Sequence, residues 1–447
     1  MAISRVVEVR HQDTDSPTAV AAAVPDQPRT PDQPRTPDQP RTPNRNKMIV
    51  VLGLLVALGP LTIDMYLPAL PKIADELNVS SSVAQLTLTG TLAGLAIGQL
   101  VIGPLSDSLG RRKPLFAGIV LHMLASLLCL FAPNIATLGV ARGLQGMGAA
   151  AGMVVAIAVV GDLYKDNAAA TVMSRLMLVL GVAPVLAPSL GAAVLLRGSW
   201  HWVFAALVVV AGALLLMAVL ALPETLPADH RRPLKVKGIA ATYLELLRDM
   251  RFVILVIVAA LGMSGLFAYI AGASFVLQGR FGLDQTAFAL VFGAGAIALI
   301  GTTQFNVVLL KRFTPQQIML WALVAASVFG AVFVALAAAH VGGLYGFVIP
   351  VWLILAAMGL VIPNAPAVAL TRHPDASGTA AALLGAVQFG GGAAIAPVVG
   401  VLGNDELAMA VVMAAGVIVA LAALLLTGVH RVTDSARVPA EALAEPA

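Results

Sequence analysis

Two charged side chains lie inside long apolar stretches of this sequence, where they are the residues best suited to do chemistry. Asp64 lies about 24 Å from the start of the first stretch at 1.5 Å per helical residue, and no other acidic residue lies as deep in any stretch. Arg142 lies in the fourth stretch. Desolvation favours a neutral carboxyl group and a nearby guanidinium favours a charged one, so Asp64 opposite Arg142 could bind and release a proton. The alternatives are a helix cap near Pro68 for Asp64 and an arginine that snorkels to a helix end for Arg142.

The loop between the second and third apolar stretches carries a further set of candidate residues. It reads Gly103-Pro-Leu-Ser-Asp107-Ser-Leu-Gly110-Arg111-Arg112-Lys113. Gly103 permits close packing at a helix end, and Gly110 permits a sharp turn. Asp107 can accept hydrogen bonds from backbone amides at the N-terminus of a neighbouring helix, and Arg111 can hold it in a charge-assisted pair. An ordinary basic loop would not explain the acid and two glycines at this spacing.

Other segments combine small residues, proline and charge. Proline inside a helix removes a backbone hydrogen bond and kinks the helix, and small residues let helices approach closely. For the fifth stretch, the alternative is a helix that is merely kinked. For Glu224, we favour a solvated charge at the membrane boundary over a coupling site. The segments are Gly59-Pro60-Leu-Thr-Ile-Asp64-Met65-Tyr66-Leu67-Pro68-Ala-Leu-Pro71, Leu138-Gly-Val-Ala-Arg142-Gly-Leu-Gln145-Gly146-Met-Gly148-Ala149-Ala150, Gly161-Asp162, Ala183-Pro184-Val-Leu-Ala187-Pro188-Ser-Leu-Gly191-Ala192 and Leu222-Pro223-Glu224-Thr225-Leu226.

The elements that position these residues are membrane-spanning helices. Of the 447 residues, 59% are hydrophobic and 11% charged, whereas soluble domains carry about 25% charged residues. A spanning helix needs about 20 mostly apolar residues. The sequence therefore predicts an all-α polytopic membrane protein with twelve transmembrane helices. The predicted spans are residues 48–70, 84–105, 114–132, 135–161, 173–196, 201–222, 252–277, 286–310, 316–339, 343–370, 377–402 and 407–428.

A polar interruption divides the spans six and six. Residues 223–251 are predicted to be a central cytoplasmic loop between a first half at 48–222 and a second half at 252–428. Residues 1–47 contain the hexapeptide Pro-Asp-Gln-Pro-Arg-Thr three times and cannot bury enough apolar surface to fold. We expect a disordered cytoplasmic tail there, and a second cytoplasmic tail at 429–447.

The basic residues predict orientation. If both termini are cytoplasmic, the loops on the other side hold only Lys72, Arg197 and Arg280 of the 27 Lys and Arg residues. The positive-inside rule then places both termini in the cytoplasm. We expect the protein in the inner (plasma) membrane of the cell. Basic clusters at span ends are topogenic and do not indicate nucleic-acid binding. The single cysteine, Cys129, excludes an intramolecular disulfide and a thiolate metal site of the usual spacing, and no cofactor or metal is predicted.

The second half is less informative. Asn306 and the break around Asn364 could line a cavity, but packing is an equally good explanation. His122 and His340 are lone histidines in or beside apolar stretches, for which we favour packing over proton relay.

The motifs above resemble those of a known family. The loop from Gly103 to Lys113 is similar to the signature loop of the major facilitator superfamily, the Arg142 segment to its fourth-helix motif, and the fifth stretch to its antiporter motif. The segment around Asp64 and the segment around Glu224 resemble the bicyclomycin-resistance (Bcr/CflA) type of twelve-span drug:proton antiporter.

The sequence departs from the family at two motifs. Ser108 stands where the loop usually has arginine, and three glycines of the antiporter motif are alanine here, at Ala183, Ala187 and Ala192. The first change removes one ionic contact of the loop, and the second keeps small size without glycine's freedom.

The resemblance implies two six-helix halves around a central cavity that opens alternately to each side. It places Asp64 and Arg142, the proton-coupling or substrate residues, on the cavity wall, where Tyr66, Gln85, Gln99 and Gln145 could join them. It also implies that the loop acts as a conformational latch and that Asp162 pairs with Arg111, although an unpaired Asp162 is an equal alternative. The latch residues are Gly103, Asp107, Gly110, Arg111, Arg112 and Asp162, and those of the antiporter-motif helix are Pro184, Pro188 and Gly191.

The predicted function is secondary active transport. We expect a monomer in membrane lipid that exports small, largely apolar drugs, such as bicyclomycin- or chloramphenicol-like compounds, in exchange for protons. The alternative is a proton-coupled or facilitated transporter of an endogenous metabolite, although a polar nutrient demands several fixed polar partners. A membrane enzyme should show clustered His, Asp or Glu within its spans, and this sequence lacks such a cluster. A non-transporting scaffold would not need charged residues inside the membrane.

Overall fold

The computed structural model describes residues 44–231, 236–373 and 377–426. The predictions for the two tails, including disorder of the hexapeptide repeats, lie outside these residues apart from the short segment 44–47. In that segment helix α1 already begins at Arg45.

Within the described residues, twelve segments are long and apolar enough to cross a membrane, which confirms the predicted number. The first and seventh spans are each built from more than one helix, and this is why the first continues to Glu76 rather than ending at residue 70. The first half contains α1 (Arg45–Asp64), α2 (Leu70–Glu76), α3 (Ser81–Leu109), α4 (Arg112–Leu130), α5 (Ile135–Leu163), α6 (Asp166–Leu195) and α7 (His201–Ala221). The second half contains α9 (Met250–Gly262), α10 (Ser264–Ser274), α11 (Gln285–Leu309), α12 (Pro315–Ala339), α13 (Gly343–Leu370), α14 (Ser377–Val401) and α15 (Glu406–Leu426).

The central segment contains a helix that the sequence interpretation did not place. Helix α8 (Val236–Arg248) precedes α9, and its Leu246 is buried against Phe252 of α9. The segment reads as polar overall because the apolar residues of α8 occupy only part of its circumference.

Glycine determines how closely the helices of the first half pack. A Cβ atom at Gly90 of α3 would lie 2.7 Å from the carbonyl oxygen of Gly139, and one at Gly146 of α5 would lie 2.9 Å from the carbonyl carbon of Thr91. Helices α3 and α5 therefore meet backbone to backbone. The small residues in these spans are required by contact within one half.

The two halves are hydrogen-bonded to each other at one end of the bundle. We call the end where α1 begins and α15 ends the termini end, and the other the far end. At the far end, Ser82 donates to the carbonyl oxygen of Gly400 (2.7 Å), and Gln85 donates to that of Ala271 (2.8 Å) and to the side chain of Asn404.

Further bonds of the same kind join the break in the first span to the seventh span. Ser274 donates to the carbonyl oxygen of Leu67 (2.5 Å), and Gln278 donates to that of Pro68 (3.4 Å). We call these two bonds, together with those of Ser82 and Gln85, the far-end gate. Gln85, expected to face a cavity, instead bridges the two halves.

Candidate functional site

Arg142 is the centre of a buried polar cluster in the first half. Its Nη1 group donates to the carbonyl oxygen of Thr62 (2.9 Å) and to Oε1 of Gln145 (2.5 Å). Its Nε and Nη2 groups have no hydrogen-bond partner among the described residues, and the guanidinium lies over the ring of Tyr66, 4.4 Å from its centroid. A carbonyl, an amide and an aromatic face thus stabilise this cation inside the membrane.

The cluster lies inside the first half and not on a cavity wall. Arg142, Gln145 and Tyr66 are each 0% exposed. Gln145 donates to the hydroxyl of Ser126 on α4 (2.7 Å), and Arg142 also lies 5.9 Å from the ring centroid of Phe204 on α7. The expectation that these residues line the central cavity is wrong for this conformation, because the guanidinium finds neutral acceptors and aromatic faces between the helices of its own half.

His122 on α4 belongs to the same cluster. Its Nε2 atom lies 2.8 Å from the hydroxyl of Thr62, and that hydroxyl donates to the carbonyl oxygen of Leu58 (2.6 Å). Because the hydroxyl proton is used on Leu58, Nε2 carries the hydrogen toward Thr62. His122 therefore contacts α1 at Thr62, whose carbonyl oxygen also accepts from Arg142. This contact agrees with a packing role for His122.

Asp64 is buried without a counter-charge. It is 2% exposed, its Oδ1 atom has no hydrogen-bond partner among the described residues, and none of the ion pairs found within 4.0 Å in that part of the chain includes it. Asp64 follows Thr62 by two residues, about 200° around a helix, so their side chains lie on opposite sides of α1. The expected opposition of Asp64 and Arg142 is not formed.

The chain breaks immediately after Asp64. Helix α1 ends at this residue and a short 3-10 turn follows at Leu67–Ala69. Gly191 of the antiporter-motif helix packs on this break, since a Cβ atom there would lie 2.9 Å from the carbonyl carbon of Met65. Pro184 and Pro188 lie within the same helix α6. The antiporter-motif helix and the intramembrane acid are thus neighbours, which spacing in the sequence could not show.

The predicted latch residues form an ionic cluster at the termini end. Arg111 contacts Asp162 through two bonds, Nε to Oδ2 (2.8 Å) and Nη2 to Oδ1 (3.0 Å). Its Nη1 group donates to Asp107 (2.6 Å) and to the hydroxyl of Ser106 (2.7 Å). Burial lowers the pKa of Arg111, but the hydrogen bonds to Asp162 and Asp107 outweigh this and raise it above its ordinary value. Of the two readings left open for Asp162, the structure contains the paired one.

Glu224 is the residue of this cluster that sequence reasoning missed. Its carboxylate accepts from the backbone amides of Arg111 (2.8 Å) and Arg112 (3.2 Å), at the start of α4. The adjacent Thr225 donates to Asp162 (2.7 Å). Glu224 is exposed, as the interpretation of a solvated charge expected, but its contacts with the start of α4 were not predicted. An acid at the exit of one span and free amides at the start of another were the available signal.

The two glycines of the latch loop differ in what they do. Gly110 has φ +88°, and a Cβ atom there would lie 2.6 Å from Oε2 of Glu224, so the turn and the cap both require glycine. A Cβ atom at Gly103 would lie 4.0 Å from Ala382, an ordinary contact, so the expected close packing at Gly103 does not occur here. The carboxylate of Asp107 accepts a hydrogen bond from Arg111. Residues 374–376, which precede α14, lie outside the described part of the chain.

Comparisons with known sequences give consistent results. The family profile described as Major Facilitator Superfamily matches residues 52–397. An uncharacterized MFS-type transporter of Bacillus subtilis, YdgK, is 36% identical over 375 residues, 83% of this chain and 92% of that protein. The bicyclomycin resistance protein homolog of Haemophilus influenzae is 30% identical, over 80% of this chain and 90% of the relative. A chloramphenicol resistance protein of Pseudomonas aeruginosa is 32% identical, over 74% and 79% respectively.

A solved structure has the same fold. The partially occluded, inward-open xylose transporter XylE from E. coli matches with a TM-score of 0.68, over 86% of this chain and 97% of that one, at 13% identity. At this identity the likeness concerns the fold alone. The resemblance inferred from the loop, the fourth span and the first span is confirmed, and the chain belongs to the major facilitator superfamily.

Proposed function

We propose that this protein is a proton-coupled exporter of small, largely apolar antibiotics, such as bicyclomycin- or chloramphenicol-like compounds. We place it in the inner membrane with both termini cytoplasmic. The observation that carries the proposal is the environment of Asp64. This acid is buried where the first span breaks, and no ion pair found among the described residues includes it.

The position of Asp64 suits proton exchange. An isolated carboxylate inside a membrane is costly unless it is paired or reached by water. Asp64 is therefore best occluded with its proton, and it can release that proton when the cavity opens to water on one side. The neighbouring contact of Gly191 with Met65 gives a route by which movement of α6 alters the surroundings of the acid.

The far-end gate supports alternating access. Its hydrogen bonds involve amides, hydroxyls and carbonyls, which can separate and be replaced by water at a modest net cost of about 0.5–1.5 kcal/mol each. With the termini in the cytoplasm, the far-end gate closes the side of the protein that is opposite the cytoplasm. A state with this gate closed and the termini end open would load drug from the cytoplasm.

The polar groups of the second half support a largely apolar substrate. Asn364 donates to Asn306 (2.7 Å), and the hydroxyls of Thr302 and Thr303 donate to backbone carbonyls of α13. These groups are neutral and already paired. A multiply charged metabolite would need fixed counter-charges, so the names of the drug-resistance relatives agree with the chemistry available.

The proposal is tested by reconstituting the full chain in liposomes and recording proton movement when chloramphenicol or bicyclomycin is added. Asp64→Asn should abolish drug-induced proton flux while drug binding persists, because asparagine mimics the neutral acid in size and hydrogen bonding. The matched control is Asp75→Asn, an exposed acid of α2, which should keep wild-type flux. Flux in Asp64→Asn equal to that of wild type would refute coupling through this residue.

Orientation has its own test. A reporter fused after Ala447 should be active on the cytoplasmic side, as the distribution of basic residues predicts. Activity of a periplasmic reporter at that position would overturn the proposed orientation.

A further inference from the structure

The membrane-facing surface of the second half contains an apolar groove between α12 and α13. Its volume is about 290 Å³, close to the lower bound of about 300 Å³ for small-molecule sites. Helices α12 and α13 pack mainly on helices of their own half. Val332 is 47% exposed and Ile349 is 52% exposed, so the groove opens outward. Its larger lining residues are Phe329, Val332, Leu336, Tyr345, Ile349 and Leu353.

The groove has the length of one bilayer leaflet. It runs from the start of α13 at Gly343 to Leu353, which is about 15 Å at 1.5 Å per residue and half of a hydrocarbon core of about 30 Å. Tyr345 is 76% exposed near the start of α13, at the level where tyrosine commonly meets lipid headgroups. The groove therefore extends from the far-end surface to the middle of the membrane.

A charged cluster lies at the mouth of this groove. Arg280 donates to Glu406 through Nη2 (2.9 Å) and Nε (3.0 Å), and Nδ1 of His340 lies 3.2 Å from the same carboxylate. A second cavity of about 70 Å³ is lined by all three residues and shares Leu336 and Gly346 with the groove. The polar cavity therefore adjoins the apolar groove at Leu336 and Gly346.

The charged cluster keeps donors free for another anion. Its bonds to Glu406 use Nε and Nη2 of Arg280, and Nη1 remains on a side chain that is 48% exposed. The His340 side chain is 67% exposed with Nε2 unused in that pair. A guanidinium and a neighbouring imidazole can both donate hydrogen bonds to the oxygens of a phosphate group.

We propose that this groove is a binding site for a phospholipid of the surrounding membrane. One acyl chain lies between α12 and α13, and the phosphate is bound by Arg280 and His340. The surrounding membrane supplies the occupant: the chain spans a bilayer, the groove opens sideways into it, and its depth matches one leaflet. The site is separate from Asp64 and does not depend on what the protein transports.

The test uses the full chain in nanodiscs that contain phosphatidylethanolamine and phosphatidylglycerol with a trace of photoactivatable phosphatidylethanolamine, its diazirine on the acyl chain. Labelled peptides are mapped by mass spectrometry. In the wild type we expect labelling concentrated in residues 329–353. Val332→Trp fills the groove and should lower that labelling about tenfold, because the acyl chain loses its van der Waals contacts with the groove walls.

The matched control is Val140→Trp. Val140 is 69% exposed and lies near the far-end start of α5, outside the groove, so this variant should label like wild type. Even labelling around the helices of the wild type, or an equal loss in both tryptophan variants, would overturn the proposal.

A second arm tests the headgroup contact with a diacylglycerol probe that carries the same diazirine chain. The phospholipid probe should label residues 329–353 several-fold more strongly. His340→Asn should reduce that advantage without affecting the diacylglycerol probe, because asparagine tolerates the left-handed backbone of this position, φ +54°. Equal labelling of the wild type by the two probes would exclude phosphate recognition.

Discussion

The two six-helix halves of this protein hold their polar groups in different ways. In the first half a cation and an acid, Arg142 and Asp64, are buried within the membrane. In the second half the described interior instead contains a neutral amide pair, Asn306 with Asn364. The charged groups of the second half, such as Arg280 with Glu406, lie at its ends. The buried charged groups are therefore concentrated in the first half, and the described interior of the second half is neutral.

This asymmetry has a physical reason. A buried charge must keep its partners through every conformation, since leaving it unpaired costs several kcal/mol. Arg142 keeps its partners because all of them, including Thr62 and Gln145, belong to its own half. The contacts that break when the halves separate, as at Gln85, are neutral. Among the described residues, each ion pair of the two halves thus lies within a single half, and the hydrogen bonds between the halves are neutral.

The largest expected effect compares two arginines of the termini end. The side chain of Arg111 is 8% exposed and bound by two carboxylates, whereas that of Arg372 is 34% exposed beside Asp249. Arg111→Ala should cost about 3–5 kcal/mol because it breaks a buried pair. Arg372→Ala should cost about 1 kcal/mol or less.

These two variants can be compared by thermal unfolding in detergent. Cys129 is the only cysteine and is buried, so a thiol-reactive dye reports its exposure on unfolding. Arg111→Lys should recover only part of the loss, because an ammonium cannot reproduce the two parallel bonds to Asp162. Similar midpoints for Arg111→Ala and Arg372→Ala would contradict the proposed difference between the halves.

The second prediction concerns the neutral contacts between halves. Gln85→Ala removes the bonds to Ala271 and Asn404 and should destabilise the closed far end by about 1–3 kcal/mol. The population open at the far end should rise about tenfold for each 1.4 kcal/mol. Spin labels on either side of the far-end gate would measure this change. Thr303→Val, a change within the second half, should leave the distance distribution as in wild type, and an unchanged distribution in Gln85→Ala would show that the gate depends on other contacts.

The fold could be predicted from the sequence further than the site could. Spans are set by apolar length, a local property, and their number was correct. Site geometry depends on which side of a helix a residue occupies and on which residues of other helices pack against that side. Asp64 and Arg142 were identified as intramembrane charges. The sequence could not show that Arg142 contacts the carbonyl of Thr62 and not the carboxyl group of Asp64. The hydrogen bonds of Glu224 to the start of α4 were not predicted because those partners are more than 100 residues away in the chain.

A third prediction tests the charges at the end of the second half. Partial burial raises the pKa of Asp249, but hydrogen bonds from Arg372 and the backbone of Phe252 outweigh this and lower it to about 2. Because the folded pKa is below the unfolded value of about 3.9, the stabilisation is complete above about pH 4 and is lost as the pH falls toward 2. The difference in unfolding midpoint between wild type and Asp249→Asn should therefore shrink over that range. A difference that stays constant from pH 6 to pH 2 would contradict the assigned pKa.

The smallest expected effect is that of Ser108→Arg, which restores the residue usual in the signature loop. Arg111 already satisfies Asp107 and Asp162, and the Ser108 hydroxyl only donates to the carbonyl oxygen of Leu105 (3.1 Å). An added guanidinium would meet Asp107, whose side chain is 49% exposed, and an ion pair at such a site is worth about 0–1 kcal/mol. We expect a rise of no more than about 2 °C in the unfolding midpoint, the smallest shift that a change of this size predicts in a large domain, with transport unchanged or slightly slower. A large stabilisation would show that the termini end of the first half lacks an ionic contact that the cluster around Arg111 does not replace.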